Sequence, residues 1–383
     1  MAKVRSLSIH ADYRCRHSGH CCSTNWDVPV EVPIYKSLTD ALASGRLKMA
    51  SGTEGLSPFI LGSDLPEEAA AMFERTDDGR CVFLERSSHL CIVHRDLGES
   101  ALAATCRHFP RVAIHDRRGT FVTLSHFCPT AASMLFRDDV PVQIVEEPPA
   151  FPPADYEGLE VTDEDLPPLL HPHMLMDLDG YSAWERHMVQ RCADISRRPE
   201  SILATLRRDA AIVAQWKPGA ATLSEAVSEL PLDFLEAPPE TGLAASLELF
   251  HEAMTAVPEE FRPDPDEDGL AEAYASWVRA EWPGFRAPVN RYIAAKAFAS
   301  WTAYQGRGVA TIVRGIEAAV ALVRVEAARR CRDAGKPLDA DLLLEAFRSA
   351  DFTLNHLAVG EDLAENWSRI EHSYRPNTAI TGP

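Results

Sequence analysis

VATIVRGIEAAVALVRVEAARRC, residues 309–331, decides the fold class. Apolar residues recur there at three- and four-residue spacing and leave little of the circumference polar. That pattern predicts a central, buried helix. Seven further segments carry the same spacing: YSAWERHMVQRCADISR (181–197), SILATLRRDAAIVAQW (201–216), TLSEAVSELPLDFL (222–235), GLAASLELFHEAMTAV (242–257), GLAEAYASWVRAEW (269–282), VNRYIAAKAFASWTAY (289–304) and DADLLLEAFRSADFTLNHLA (339–358). No fixed-period repeat links them. Residues 176–383 are therefore expected to form an all-α bundle of roughly seven or eight helices. Gly306–Gly308 follows one helix and precedes another, so it reads as an interhelical turn and not as a nucleotide-binding loop.

Moving outward, residues 141–175 hold prolines at 141, 148, 149, 152, 153, 167, 168 and 172. Proline fixes φ and lacks an amide donor, so the stretch can be neither a continuous helix nor a central strand. It is expected to be an extended surface connector.

Residues 1–140 give short, mixed signals. WDVPVEVP alternates apolar and polar residues, as a strand or extended arm would. IYKSLTDALASGRL reads as a helix ending at Gly45. CVFLE and FVTLSHF are short β-type runs. RTDDGR and HDRRGT read as turns, the second as a hairpin connection. The fold class expected overall is mainly α: a small, irregular cysteine-rich metal-binding domain with a few short strands, packed on a C-terminal helical bundle.

The first domain holds seven of the chain's nine cysteines: Cys15, Cys21, Cys22, Cys81, Cys91, Cys106 and Cys128. Thiolates suit soft or borderline metals and iron–sulfur clusters. All seven are metal-ligand candidates, with Gly19 supplying a tight turn beside Cys21 and Cys22. No paired C-x2-4-C knuckle of a structural zinc site occurs. On extended backbone, Cys21 and Cys22 would point to opposite sides and could not share one small ion. Seven thiols also exceed one tetrahedral zinc. A cubane cluster with separated iron corners fits better, and [4Fe–4S] is preferred over zinc. His17, His20 and His126 neighbour cysteines and are candidate ligands or donors to ligands. Arg107 and Arg111 flank Cys106, where they would neutralise an anionic cluster, bind a carboxylate or pair on the surface. Cys192 and Cys331 lie in helical patterns and read as packing residues.

Charge is uneven. Residues 1–140 carry 16 Lys and Arg against 17 Asp and Glu, whereas 141–383 carry 22 against 40. So acidic a surface repels nucleic acid and anionic lipid, and attracts basic protein segments if anything. MAKVRSLSIHADYRC has no apolar leader pattern, and no run of 18 apolar residues occurs, so the expectation is a cytoplasmic protein without a membrane span.

The cysteine elements come in a particular order. A C-x5-C-C element is followed by GRCVFL, HLCIVH, TCRHFPR and LSHFCPTAA. This series resembles the zinc- or iron-chelating cysteine-cluster proteins, and within them the flagellin lysine-N-methylase group. The matching positions are Cys81, Cys91, Cys106 with Pro110 and Arg111, and Cys128 with Pro129. VNRYIAAKAFASWTAY resembles the group's Asn-Tyr helix and FTLNHLA its closing helix ending in His. Two departures stand out. The first element has fewer cysteines than the group's fuller pattern, and Asn355 precedes His356 where a carboxylate is expected.

The resemblance implies methyl transfer from S-adenosylmethionine to lysine amines of a protein, flagellin or another. It implies site roles for Asn290, Tyr292, Trp301 and His356, of which Asn290, Tyr292 and His356 would be catalytic. Two roles are open to a cluster in such a protein: holding the small domain on the bundle, or binding the methyl donor. No strand–GxGxG–helix element and no C-x3-C-x2-C element is present. Two other classes therefore stand beside the methylase: a non-catalytic iron- or zinc-binding or redox-responsive interaction protein, and a non-methylating metalloenzyme that modifies a peptide.

Overall fold

A computed structural model describes residues 3–369, apart from positions 25, 63, 64, 67, 155, 163, 164, 220, 241 and 263–265. Residues 370–383 of the helical half and positions 155, 163 and 164 of the proline-rich stretch thus lie outside the described residues. Helix accounts for about 48% of the chain and strand for 12%, so the protein is mainly α.

The central helix spans Val309–Ala334. Ile312, Val313, Ile316, Ala319, Val320, Leu322 and Val323 are all buried, covering more than one face. Helices Pro199–Val213, Ala244–Met254, Arg286–Ala297 and Ala340–Phe352 surround it. It stops at Gly335, whose φ of +63° is the left-handed conformation that glycine adopts without a Cβ penalty.

Each of the eight helical segments contains helix, with two instructive breaks. The segment 289–304 divides into Arg286–Ala297 and Thr302–Gln305. Between them Ala299 takes φ +50°, and its amide donates to the buried Glu185 carboxylate at 3.0 Å. The last predicted segment runs as Ala340–Phe352 and continues as a π-helical turn, Thr353–Leu357. A further helix, Gly360–Arg369, lies beyond the eight segments whose spacing predicts helix. Its composition is largely polar, and it is held by burying Leu363, Ala364 and Trp367.

A five-stranded mixed sheet packs against this bundle. Its order is Ile144–Glu146, Val4–Leu7, Gly119–Leu124, Arg111–Asp116, Gly158–Glu160. HDRRGT makes the expected hairpin, with Asp116 paired to Gly119. Successive residues face opposite sides. Ile114 and Phe121 enter the large core shared with the helices, while Ala113, Val122 and Leu124 join Tyr13, Cys128 and Phe151 on the other face. The proline-rich stretch supplies Ile144–Glu146 and Gly158–Glu160, the two edges of this sheet. Edges are where strands tolerate missing donors.

Residues 22–103 form their own apolar cluster around a small antiparallel sheet, Pro29–Glu31, Ala69–Phe73 and Phe59–Ile60. Helix Val32–Ala43 packs on it. The apolar clusters do not divide at residue 140. Leu7, Ile9, Ile114 and Phe121 belong with the bundle, while 22–103 is separate. CVFLE is not a strand. Cys81 and Leu84 make only isolated bridges, to Arg75 and Cys91, because the chain turns between them. Among the described residues, no helix is long and apolar enough to cross a membrane.

Candidate functional site

Six of the seven clustered cysteines line one cavity of about 480 Å³: Cys15, Cys21, Cys22, Cys91, Cys106 and Cys128. Short local devices aim them. Gly19, at φ +72°, reverses the chain into a 3-10 turn, His20–Cys22. The turn corrects the reading of Cys21 and Cys22 as opposed: their sulfurs lie 3.8 Å apart, because the backbone there is coiled and not extended. Cys91 stands at the N-cap of helix Ile92–Leu97, where the amides of Val93 and His94 favour its thiolate. Cys106 rides on helix Ala104–His108. Cys128 caps helix Pro129–Met134, and Tyr13 OH lies 3.7 Å from its sulfur. Cys81 does not line the cavity. It is buried behind Cys22, with its amide donating to the Cys22 carbonyl.

The thiols influence one another. A hydrogen bond from Cys22 lowers Cys91 to about 7 and also lowers Cys21, whereas those bonds and burial raise Cys22 well above the ordinary thiol value. Burial, with Cys81, Cys21 and Cys91 close by, raises Cys106 as well. A cation among these sulfurs would relieve that cost. Among the described residues, no group of three or more His, Cys, Asp or Glu side chains is set to hold one metal ion.

Arg107 and Arg111 both line the cavity. The Arg107 guanidinium donates to the Leu102 carbonyl, and that of Arg111 to the Arg107 carbonyl at 3.2 Å. Arg111 also lies 5.9 Å from the ring centroids of Tyr13 and Phe151. His17 lines the cavity, stacked on His94. His20 is not among the lining residues.

A second cavity of about 810 Å³ shares Phe109 and Arg111 with the first. Trp26, Trp301, His356, Asp27 and Glu157 help line it. His356 packs among Trp26, Phe109, Phe127 and Phe352, and burial lowers it to about 4, so it is neutral near pH 7. Tyr292 and Asn290 line neither cavity. Tyr292 is fully buried and donates to Asp351 at 2.7 Å. Asn290 Nδ2 donates to the carbonyls of Asp194 and Arg197, at 3.3 and 2.9 Å, tying a loop to its helix.

Sequence reasoning missed a buried polar network. Asp351 receives Tyr292, the Lys296 ammonium at 2.5 Å, and both the amide and Nδ1 of His126. His126 Nε2 in turn faces His10 Nε2 at 3.3 Å. His126 is therefore placed beside this carboxylate and not in the thiol cavity. The only sequence signal was an Asp within an apolar helical stripe.

This arrangement defines a mainly α protein with a thiol-lined cavity between an N-terminal lobe and a sheet-backed helical bundle. Comparison of the chain with protein-family models, curated proteins and solved structures found no match in any of the three.

Proposed function

We propose that the chain binds an iron–sulfur cluster, [4Fe–4S], in the cysteine cavity. The observation that carries this reading is the convergence of six cysteines, from five separate segments, on one 480 Å³ space. Soft thiolates at that number exceed what one zinc ion uses. A polynuclear cluster presents its irons at separate corners, which suits thiols brought together from separate segments. Bound there, a cluster would supply a covalent cross-link between the lobes and a set of redox-capable, Lewis-acidic irons. Arg107 and Arg111 would offset the negative charge of the thiolates.

On this site we place S-adenosylmethionine-dependent methylation of a protein lysine, on flagellin or another protein. Two features support it. The ordered series Cys15–Pro129 resembles the flagellin lysine-N-methylase group. The adjoining cavity also combines the rings of Trp26, Phe109 and Trp301 with the carboxylates of Asp27 and Glu157, which suits an organic cation. His356 at about 4 is poorly matched to take a proton from an ammonium, so its role is to shape the pocket.

Two observations favour a second reading, a redox-responsive or metal-handling protein without catalysis: Cys21 and Cys22 sulfurs are 3.8 Å apart, and Cys15 is exposed. Anaerobic purification tests the first step. Iron with inorganic sulfide and a broad absorbance near about 400 nm is expected. A colourless zinc protein removes the cluster. Calorimetry with S-adenosylmethionine tests the second step, and the absence of any heat or thermal shift at millimolar concentration favours the non-catalytic protein.

A further inference from the structure

Three consecutive residues before Cys128 are each held by helix Ala340–Phe352 or by the π-helical turn that follows it. The Ser125 hydroxyl lies 2.8 Å from His356 Nε2. His126 donates to Asp351 Oδ2 through its amide at 2.6 Å and through Nδ1 at 3.0 Å. The Phe127 carbonyl accepts from Arg348 Nε at 3.0 Å, with the guanidinium carbon 5.4 Å from the Phe127 ring. Arg348 and Asp351 sit one turn apart on helix Ala340–Phe352, so both face the same strip of chain. The π-helical turn that follows brings His356 onto that strip. Asp339 caps the start of this helix by accepting the Leu342 amide at 2.9 Å.

The clamp is costly and well compensated. Asp351 is fully buried, and Lys296, Tyr292 and His126 together supply its partners. Simple packing does not need a buried charge spent on a loop amide. The next residue after the clamped triplet is Cys128, which opens helix Pro129–Met134. We infer that Arg348, Asp351 and His356 are positioning residues that fix Cys128 in the thiol cavity, so that a helix more than 200 residues downstream sets the geometry of one sulfur donor. None of the three is a ligand. They act through the backbone of residues 126–127, the Ser125 hydroxyl and the His126 ring.

The metal arm of the test rests on the proposed cluster, whereas the thiol arm does not. In the metal-free protein, alkylation by N-ethylmaleimide is followed at Cys128, with Cys192, fully buried in the helical core, as the internal control for unfolding. Asp351→Asn and Ser125→Ala should each speed alkylation of Cys128 about tenfold or more and leave Cys192 at its wild-type rate. After iron and sulfide reconstitution, both should also alter the visible absorption band, as Cys128→Ser should. If Asp351→Asn fails to fold, Cys192 reacts at once and Ser125→Ala decides. A wild-type Cys128 rate in the folded variants, or a rise merely in step with Cys192, overturns the positioning role. If wild-type protein takes up no iron, the cluster reading fails, and the alkylation result still judges the clamp.

Discussion

Gly19 approaches His89 so closely that a β-carbon at position 19 would stand 2.4 Å from the His89 carbonyl oxygen. With φ at +72°, the position is closed to other residues twice over, by backbone conformation and by space. Gly19→Ala should therefore cost at least about 1–2 kcal/mol from the left-handed conformation alone. It should also displace Cys21 and Cys22. A lowered urea midpoint together with reduced iron content is the expected result, and a variant with wild-type iron would show that the turn does not organise the site.

The nine cysteines should sort by place. Cys22→Ser, Cys91→Ser and Cys106→Ser are expected to reduce bound iron by more than half. Cys192→Ser and Cys331→Ser, whose thiols are buried in the helical core, should leave iron content unchanged and lower only stability. Cys81→Ser should resemble the core pair, because Cys81 lies behind the cavity. Iron and sulfide analysis of the purified variants checks the ordering.

Tyr292 and Asn290 belong to the frame and not to either cavity. Tyr292→Phe removes a hydrogen bond to a buried carboxylate, a loss of about 1.5–3 kcal/mol for a charged partner. It should lower the denaturation midpoint and leave iron content and S-adenosylmethionine binding unaltered. A loss of donor binding at full stability would return Tyr292 to the reacting site.

Acid should destabilise the fold early. Burial holds His10 well below its ordinary 6.5 and lowers His356 to about 4, so neither accepts a proton in the folded state as readily as in the unfolded chain. The unfolded state thus binds more protons below about pH 6.5, and stability falls as pH drops from there through the folded values. Asp351, lowered by Lys296 and His126 against its burial, adds a second loss in the same direction below about pH 4. Urea midpoints should be flat from pH 8 to 7 and decline from 6.5 to 4.5. His10→Gln should flatten part of that decline.

The central helix should be the stability anchor. Leu322 is fully buried in the large core, and Leu322→Ala is expected to cost about 2–5 kcal/mol in transfer and cavity terms. Calorimetric melting of the variant against wild type measures it.

Local pattern alone determined a good deal of this protein. The spacing in 309–331 specifies a buried helix whatever surrounds it, because an apolar circumference has no other stable place. HDRRGT specifies a hairpin, and eight prolines bar residues 141–175 from a sheet interior. The crowding of cysteines before Pro129 marked six of the residues that line the first cavity. Tertiary structure alone decided the rest. Cys21 and Cys22 converge because a left-handed glycine coils the chain, which strand alternation cannot express. Ser125, His126 and Phe127 meet His356, Asp351 and Arg348 across more than 200 residues, and no local period encodes such a pairing. Asp351 looked like one more acid in an acidic half. Only burial beside Lys296, Tyr292 and His126 makes it the charge on which the Cys128 segment is held.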